Sequence, residues 1–250
     1  MRILNIIPIT TDIWTEEIDA YVRRPLLPDT DVVTSFLTHG PASIECQADE
    51  ALAAPWVVAL IRQAERDGFD GVFVNCFGDP GILAARDLVS IPVFGGFEPA
   101  VLAGLGLAEK VSVVAVLPQV VSLISGNIQR GHFGSRIASL RHLSLSVPDL
   151  CNTEALIQGL YEQSKAAIEE DGAGAIVVGC AALAGVAEGV AARLRADGLE
   201  APVIEPTRAG LLELEAFVRM GWHLGHLAHR TPRLKERPWR LGAGTVPLAS

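Results

Sequence analysis

Lysine is scarce in this chain. Lys110, Lys165 and Lys235 are the only three among 250 residues. They fall at the start of a predicted strand, inside a predicted helix and in the C-terminal segment. None is placed as a Schiff-base lysine would be, which argues against pyridoxal phosphate. Positive charge is short overall, with 20 Lys and Arg against 29 Asp and Glu and a formal net charge of -9. Nucleic-acid binding needs clustered Lys and Arg to neutralise phosphates, so that class is disfavoured. Four cysteines are too few for a disulfide framework at this length and read as free thiols. No apolar run is long enough to span a bilayer. The longest, residues 172–187, is broken by glycines and contains Cys180. The first residues enter a strand pattern directly, with no signal-peptide cleavage site. The expectation is a soluble, cytoplasmic protein that acts on a small molecule, with no nucleic-acid or membrane partner.

What is present is apolar periodicity. Half the residues are hydrophobic, enough for a full core. Short β-branched runs at 2–8, 31–37, 71–76, 92–94, 111–117, 140–147, 173–179 and 202–205 suit buried parallel strands. Helical patterns lie between them, at 43–67, 99–107, up to about 130, 152–170, 183–197 and 206–226. Such alternation predicts an α/β protein with parallel sheets and helices on both faces.

The order of signals repeats. A strand ending in proline occurs at Pro8 and at Pro118. Asp67-Gly68 and Asp171-Gly172 each close a long helix. Val74-Asn75-Cys76 corresponds to Val178-Gly179-Cys180, and Pro92-Val93 to Pro202-Val203. The chain therefore reads as two pseudo-symmetric, Rossmann-like (flavodoxin-like) units. The first is residues 1–97 plus 207–229, the second 98–206. A basic tail with three prolines, 230–250, follows as a solvated or partner-clasping segment.

Cys76 and Cys180 each end a buried strand. In an open parallel sheet, ligands bind beyond the carboxyl ends of the strands, so each thiol stands at the ligand edge of its unit. Each also precedes a predicted helix, whose backbone N–H groups favour a thiolate. A lone cysteine in such a place is ordinarily a small core residue, but two at matching places point to chemistry. Cys46 and Cys151 lack this context and read as structural. His223, His226 and His229 form an H-x-x-H-x-x-H row on the predicted last helix. No carboxylate interleaves as in a metalloprotease helix, so no metal is expected. Gly104-Leu105-Gly106 precedes a strand and makes a poor dinucleotide loop.

Four stretches together, 40–45 (Gly-Pro-Ala-Ser-Ile-Glu), 75–81 (Asn-Cys-Phe-Gly-Asp-Pro-Gly), 92–98 (Pro-Val-Phe-Gly-Gly-Phe-Glu) and 177–181 (Val-Val-Gly-Cys-Ala), carry a likeness. On them the chain resembles the aspartate/glutamate/hydantoin racemase superfamily, and within it the hydantoin and allantoin racemases. The resemblance implies two α/β domains with the site between them, no cofactor, two cysteines as acid and base, and a homo-oligomer. The chain departs from hydantoin racemases after the first strand. They usually carry Asn-Pro-Asn-Thr there, and this chain has Pro8-Ile9-Thr10-Thr11.

The expected reaction is racemisation of a small cyclic ureide, one cysteine removing the α-proton and the other delivering one to the opposite face. Backbone donors near Gly78, Asp79 and Ala181 would stabilise the enolate oxygen. Thr10, Thr11, Ser43, Phe77, Gly78, Asp79, Ala181 and Ala182 are the expected substrate contacts, with Asp79 orienting the Cys76 loop or serving as a turn residue before Pro80. The same scaffold admits amino-acid racemisation, diacid isomerisation, decarboxylation or thiolate attack on a ring carbon. A non-catalytic small-molecule binding protein is the alternative from another class.

Overall fold

A computed structural model of the chain describes residues 1–12, 15–143, 152–181, 183, 185–225, 227–229 and 232. The strands are β1 (Arg2–Ile7), β2 (Asp31–Phe36), β3 (Gly71–Val74), β4 (Val93–Gly95), β5 (Val111–Ala115), β6 (Ile137–His142), β7 (Ala175–Val178) and β8 (Val203–Ile204). The helices are α1 (Glu16–Arg23), α2 (Gln47–Arg66), α3 (Ile82–Arg86), α4 (Phe97–Leu105), α5 (Val121–Arg130), α6 (Thr153–Glu169), α7 (Val186–Ala196) and α8 (Pro206–Arg219). Two compact units result, one of residues 1–95 with 211–250, the other of 96–210.

The first unit holds a parallel sheet in the order β2-β1-β3-β4. Its central strands are apolar at consecutive positions because both faces are covered. Leu4, Ile6, Val72 and Val74 pack with Val57, Leu60 and Ile61 of α2. Ile3 and Phe73 point the other way, where Val22 of α1 and Leu211 and Leu214 of α8 close over them. Each such side chain, fully buried, contributes about 1.5–3 kcal/mol.

The second unit repeats the plan, with a parallel sheet in the order β6-β5-β7-β8. Val114, Ile176 and Val178 pack with Leu156 and Leu160 of α6 and Val190 and Leu194 of α7. On the other face α4 comes close. A β-carbon added to Gly104 would lie 2.8 Å from Val111 Cγ1. The identical strand order and the left-handed turns at Gly68 and Gly172, with φ 75° and 74°, establish the repeat read from the sequence.

Several boundaries differ from the sequence reading. The second helix begins at Gln47, not Ser43, which lies in the preceding loop. Strand β6 begins three residues earlier than expected. One short helix, α1, was not foreseen, and the helix expected after Cys76 is α3, which begins only at Ile82. The last helix stops at Arg219 rather than His226. Its end is a Schellman turn. Gly221 has φ 69°, its N–H bonds Val218 O at 3.0 Å, and the Trp222 N–H bonds Phe217 O at 3.0 Å. His223 and His229 therefore lie outside any helix. His226 itself, Cys151 and nearly all of the tail 230–250 lie outside the described residues. Among the described residues no helix is long and apolar enough to cross a membrane.

Candidate active site

The Cys76 loop starts where β3 stops. Val74 ends the strand, and Cys76 follows two residues later. The Asn75 N–H still bonds Ile6 O at 2.8 Å, so the chain leaves the sheet only at Cys76. The chain then turns back on itself. The Gly78 N–H donates to Cys76 Sγ at 3.4 Å, and the Asp79 N–H to Cys76 O at 3.3 Å. Such a donor stabilises sulfur most when it is a thiolate. Asp79 takes a left-handed conformation, φ 57°, which Asp tolerates better than most residues. Cys76 is half-buried, and Phe77 is buried.

Gly81 closes the loop at φ 75° immediately before α3. A β-carbon there would lie 2.9 Å from Ala54 O of α2. Both conformation and space therefore demand glycine. Helix α3 begins six residues after Cys76. This corrects the expectation of a helix N-terminus at the thiol, because the dipole effect fades within the first turn. The Gly78 N–H is the donor at hand.

Cys180 stands in the same relation to its own unit. It follows Val178, the end of β7, by two residues, and is half-buried. The Gly179 N–H bonds Val114 O at 2.8 Å. Gly185, five residues after Cys180 as Gly81 is after Cys76, has φ 78° and precedes α7. The two loops thus share strand end, cysteine, left-handed glycine and helix at equal spacing. Ala181 is buried; Ala182 lies outside the described residues.

Thr10 and Thr11 follow β1, the neighbour of β3, and Ser43 follows β2, the next strand out, so all three stand at the same carboxyl edge as Cys76. All three are exposed. Their hydroxyl protons are committed locally. Thr10 Oγ1 donates to Pro41 O at 3.3 Å, Thr11 Oγ1 to Ala42 O at 2.8 Å and Ser43 Oγ to Glu45 Oε1 at 2.8 Å. The two threonine bonds tie the loop after β1 to the loop after β2, and all three hydroxyl oxygens remain able to accept. In that loop His39 stacks on Trp56 with ring centroids 4.6 Å apart. Cys46 immediately precedes α2, and its Sγ donates to Asp49 Oδ2 at 3.3 Å. The Glu45 N–H, and after it this thiol, hold the Asp49 carboxyl below the usual carboxylate range.

Sequence reasoning missed Glu205 and Thr207. Glu205 follows β8 and caps α8. Its Oε1 accepts the Thr207 N–H and its Oε2 the Arg208 N–H, each at 2.8 Å. Burial pushes its carboxyl up to about 7 against the lowering effect of these bonds. The signal available was an acidic residue at a strand end directly before Pro206, a favoured first helical residue. Among the described residues, no group of three or more His, Cys, Asp or Glu side chains is placed to hold a metal ion.

A family model described as Asp/Glu/Hydantoin racemase matches residues 3–214. A hydantoin racemase of Pseudomonas sp. (strain NS671) is 34% identical over 238 residues, 94% of each chain. Two solved structures are similar throughout. An allantoin racemase from Klebsiella pneumoniae has a TM-score of 0.85 and 34% identity, covering 94% of this chain and 95% of its own. An allantoin racemase from Pseudomonas fluorescens has a TM-score of 0.86 and 29% identity, covering 95% and 99%.

Proposed function

This chain belongs to the Asp/Glu/hydantoin racemase family, and from that premise we propose that it racemises a five-membered cyclic ureide, a 5-substituted hydantoin or allantoin. It is an isomerase that needs no cofactor, and Cys76 and Cys180 are its acid and base. The observation that carries the reading is the matched pair of loops, each placing a half-buried cysteine two residues beyond a buried parallel strand. The relatives named hydantoin and allantoin racemase support the substrate class.

In the proposed reaction one thiolate takes the proton from the ring carbon next to a carbonyl. The C–H pair moves onto the carbonyl oxygen as an enolate. The opposite cysteine, still a thiol, returns a proton to the other face and becomes the thiolate. Substrate and product have the same composition, and only the protonation of the two sulfurs has exchanged. Backbone N–H groups of the two loops oppose the enolate charge. Thr10, Thr11 and Ser43 accept from ring N–H groups at the edge of the first unit. The ligand is a small molecule only, and the working form is a homo-oligomer.

The test uses single enantiomers of 5-substituted hydantoins and of allantoin, with protein dialysed against a chelator. Optical rotation should decay to zero while the compound's mass stays unchanged in water. A product that has lost carbon dioxide or opened its ring would contradict the proposal, as would activity that returns only with added zinc.

A further inference from the structure

The end of β8 reaches the Cys180 loop through a buried hydroxyl. Strand β8 lies beside β7, with Val177 paired to Ile204. Their carboxyl ends therefore emerge side by side, one leading to Cys180 and the other to Glu205. Thr207, in the first turn of α8, is 2% exposed. Its Oγ1 donates to the carbonyl oxygen of Ala181 at 2.6 Å. That carbonyl belongs to the residue directly after Cys180.

Thr207 is held in turn. Its backbone N–H bonds Glu205 Oε1, and its hydroxyl also meets the Glu205 carboxyl. A hydroxyl has one proton and can accept as well as donate. Given to Ala181, that proton leaves the Thr207 oxygen to accept. Arg208, the next residue, is occupied by Glu188 of α7 at 2.6 Å. A carboxyl, a hydroxyl and a carbonyl thus form one buried line ending at the peptide beside the thiol. A cap alone would need Glu205 only. The Thr207–Ala181 bond does nothing for the helix.

We infer that Thr207, seated by Glu205, is a positioning residue for Cys180, fixing the Ala181 carbonyl and with it the direction in which the Cys180 sulfur is presented. This rests on the reading of Cys180 as an acid and base. Thr207 acts through the loop and touches no reacting atom. Misplacing a reacting group by an ångström costs on the order of 100-fold in rate, so one lost bond at this place has a large effect.

The test is α-proton exchange with deuterium oxide, followed separately for each enantiomer. Thr207→Val keeps the shape and removes the hydroxyl. It should slow exchange of one enantiomer, the one whose proton Cys180 removes, by about 10-fold or more, with the other far less affected. Thr207→Ser should restore it to within a few-fold. Equal slowing of both enantiomers, no slowing, or no rescue by serine would overturn the inference. Thr207→Ala replaces the valine variant should that one not fold. Alkylation by iodoacetamide, mapped by mass spectrometry, separates this inference from the functional reading. Thr207→Val should change the Cys180 rate several-fold relative to Cys76, whether or not any ureide is a substrate. An unchanged ratio would also overturn it.

Discussion

Gly95 and Asp79 compete for one space. A β-carbon added to Gly95 would lie 2.0 Å from Asp79 Oδ1 and 2.3 Å from Ile82 Cδ1. Gly95 is the last residue of β4, and Asp79 is the left-handed residue of the Cys76 loop. The bare glycine backbone is therefore what lets the loop lie down on its sheet.

Gly95→Ala should push Asp79 and Ile82 aside and destabilise the protein by about 1–3 kcal/mol, the usual cost of overpacking. Urea unfolding measures the loss. The alkylation rate of Cys76 should change with it, and that of Cys180 should not. A variant of full stability with an unaltered Cys76 would show that the loop does not depend on this contact.

Glu205 gives the fold a pH dependence of known sign. Its carboxyl is raised from 4.5 to about 7, so the folded state holds its proton more tightly than the unfolded chain. Its contribution is fully present below pH 4.5 and is lost as pH rises through about 7. A shift of this size corresponds to roughly 3 kcal/mol. Unfolding free energy measured from pH 5 to pH 8 should fall more in the parent than in Glu205→Gln, which cannot ionise. Parallel curves for the two proteins would refute the assignment.

A second buried carboxylate anchors α8 to the first unit. Glu215 accepts the Leu27 N–H at 3.1 Å, the Thr30 hydroxyl and Arg219 Nη2 at 3.1 Å. Arg219 also pairs with Asp29. Glu215→Leu should lower stability by about 1–3 kcal/mol, because the Leu27 N–H, the Thr30 hydroxyl and Arg219 all lose their shared acceptor. Arg219→Ala should cost less, since the carboxylate keeps its two other donors. The urea midpoints rank the two variants. A leucine variant as stable as the parent would contradict the ledger of bonds.

The parts of the fold that were legible are those governed by local pattern. Residues 71–74 and 175–178 are apolar at every position because both sheet faces are covered, and that shows in one dimension. So does the repeat, since left-handed glycines and strand-ending prolines recur in order. Helix α1 was missed although Thr15 caps it, accepting from Ile18 N–H at 3.2 Å, because only Val22 of its eight residues is buried. The end of α8 was overrun because Gly221 was not read as a helix stop. At the site, the cysteines were visible from their strands. Glu205 was overlooked although its partners are local, since it was read as the end of a strand rather than as a helix cap. Thr207 was not visible, because its acceptor Ala181 lies in the loop after the neighbouring strand and sequence spacing carries no trace of it. Thr10, Thr11 and Ser43 were expected to hold substrate. The bonds of Thr10 and Thr11 to Pro41 and Ala42 add a loop-fastening task that only three dimensions reveal.

If Cys76 and Cys180 divide one substrate's two faces between them, as proposed, neither thiol can be spared. Serine at either position replaces a thiol of pKa about 8.5 by a hydroxyl far weaker as acid and base at neutral pH. Cys76→Ser and Cys180→Ser should each abolish net racemisation, while Cys46→Ser stays within a few-fold of the parent. The decisive measurement is α-proton exchange of each pure enantiomer in deuterium oxide, by nuclear magnetic resonance, for both variants. Complementary results are expected, each variant exchanging one enantiomer only and the two variants exchanging opposite ones. Exchange of the same enantiomer by both variants, or racemisation that survives loss of either cysteine, would contradict it.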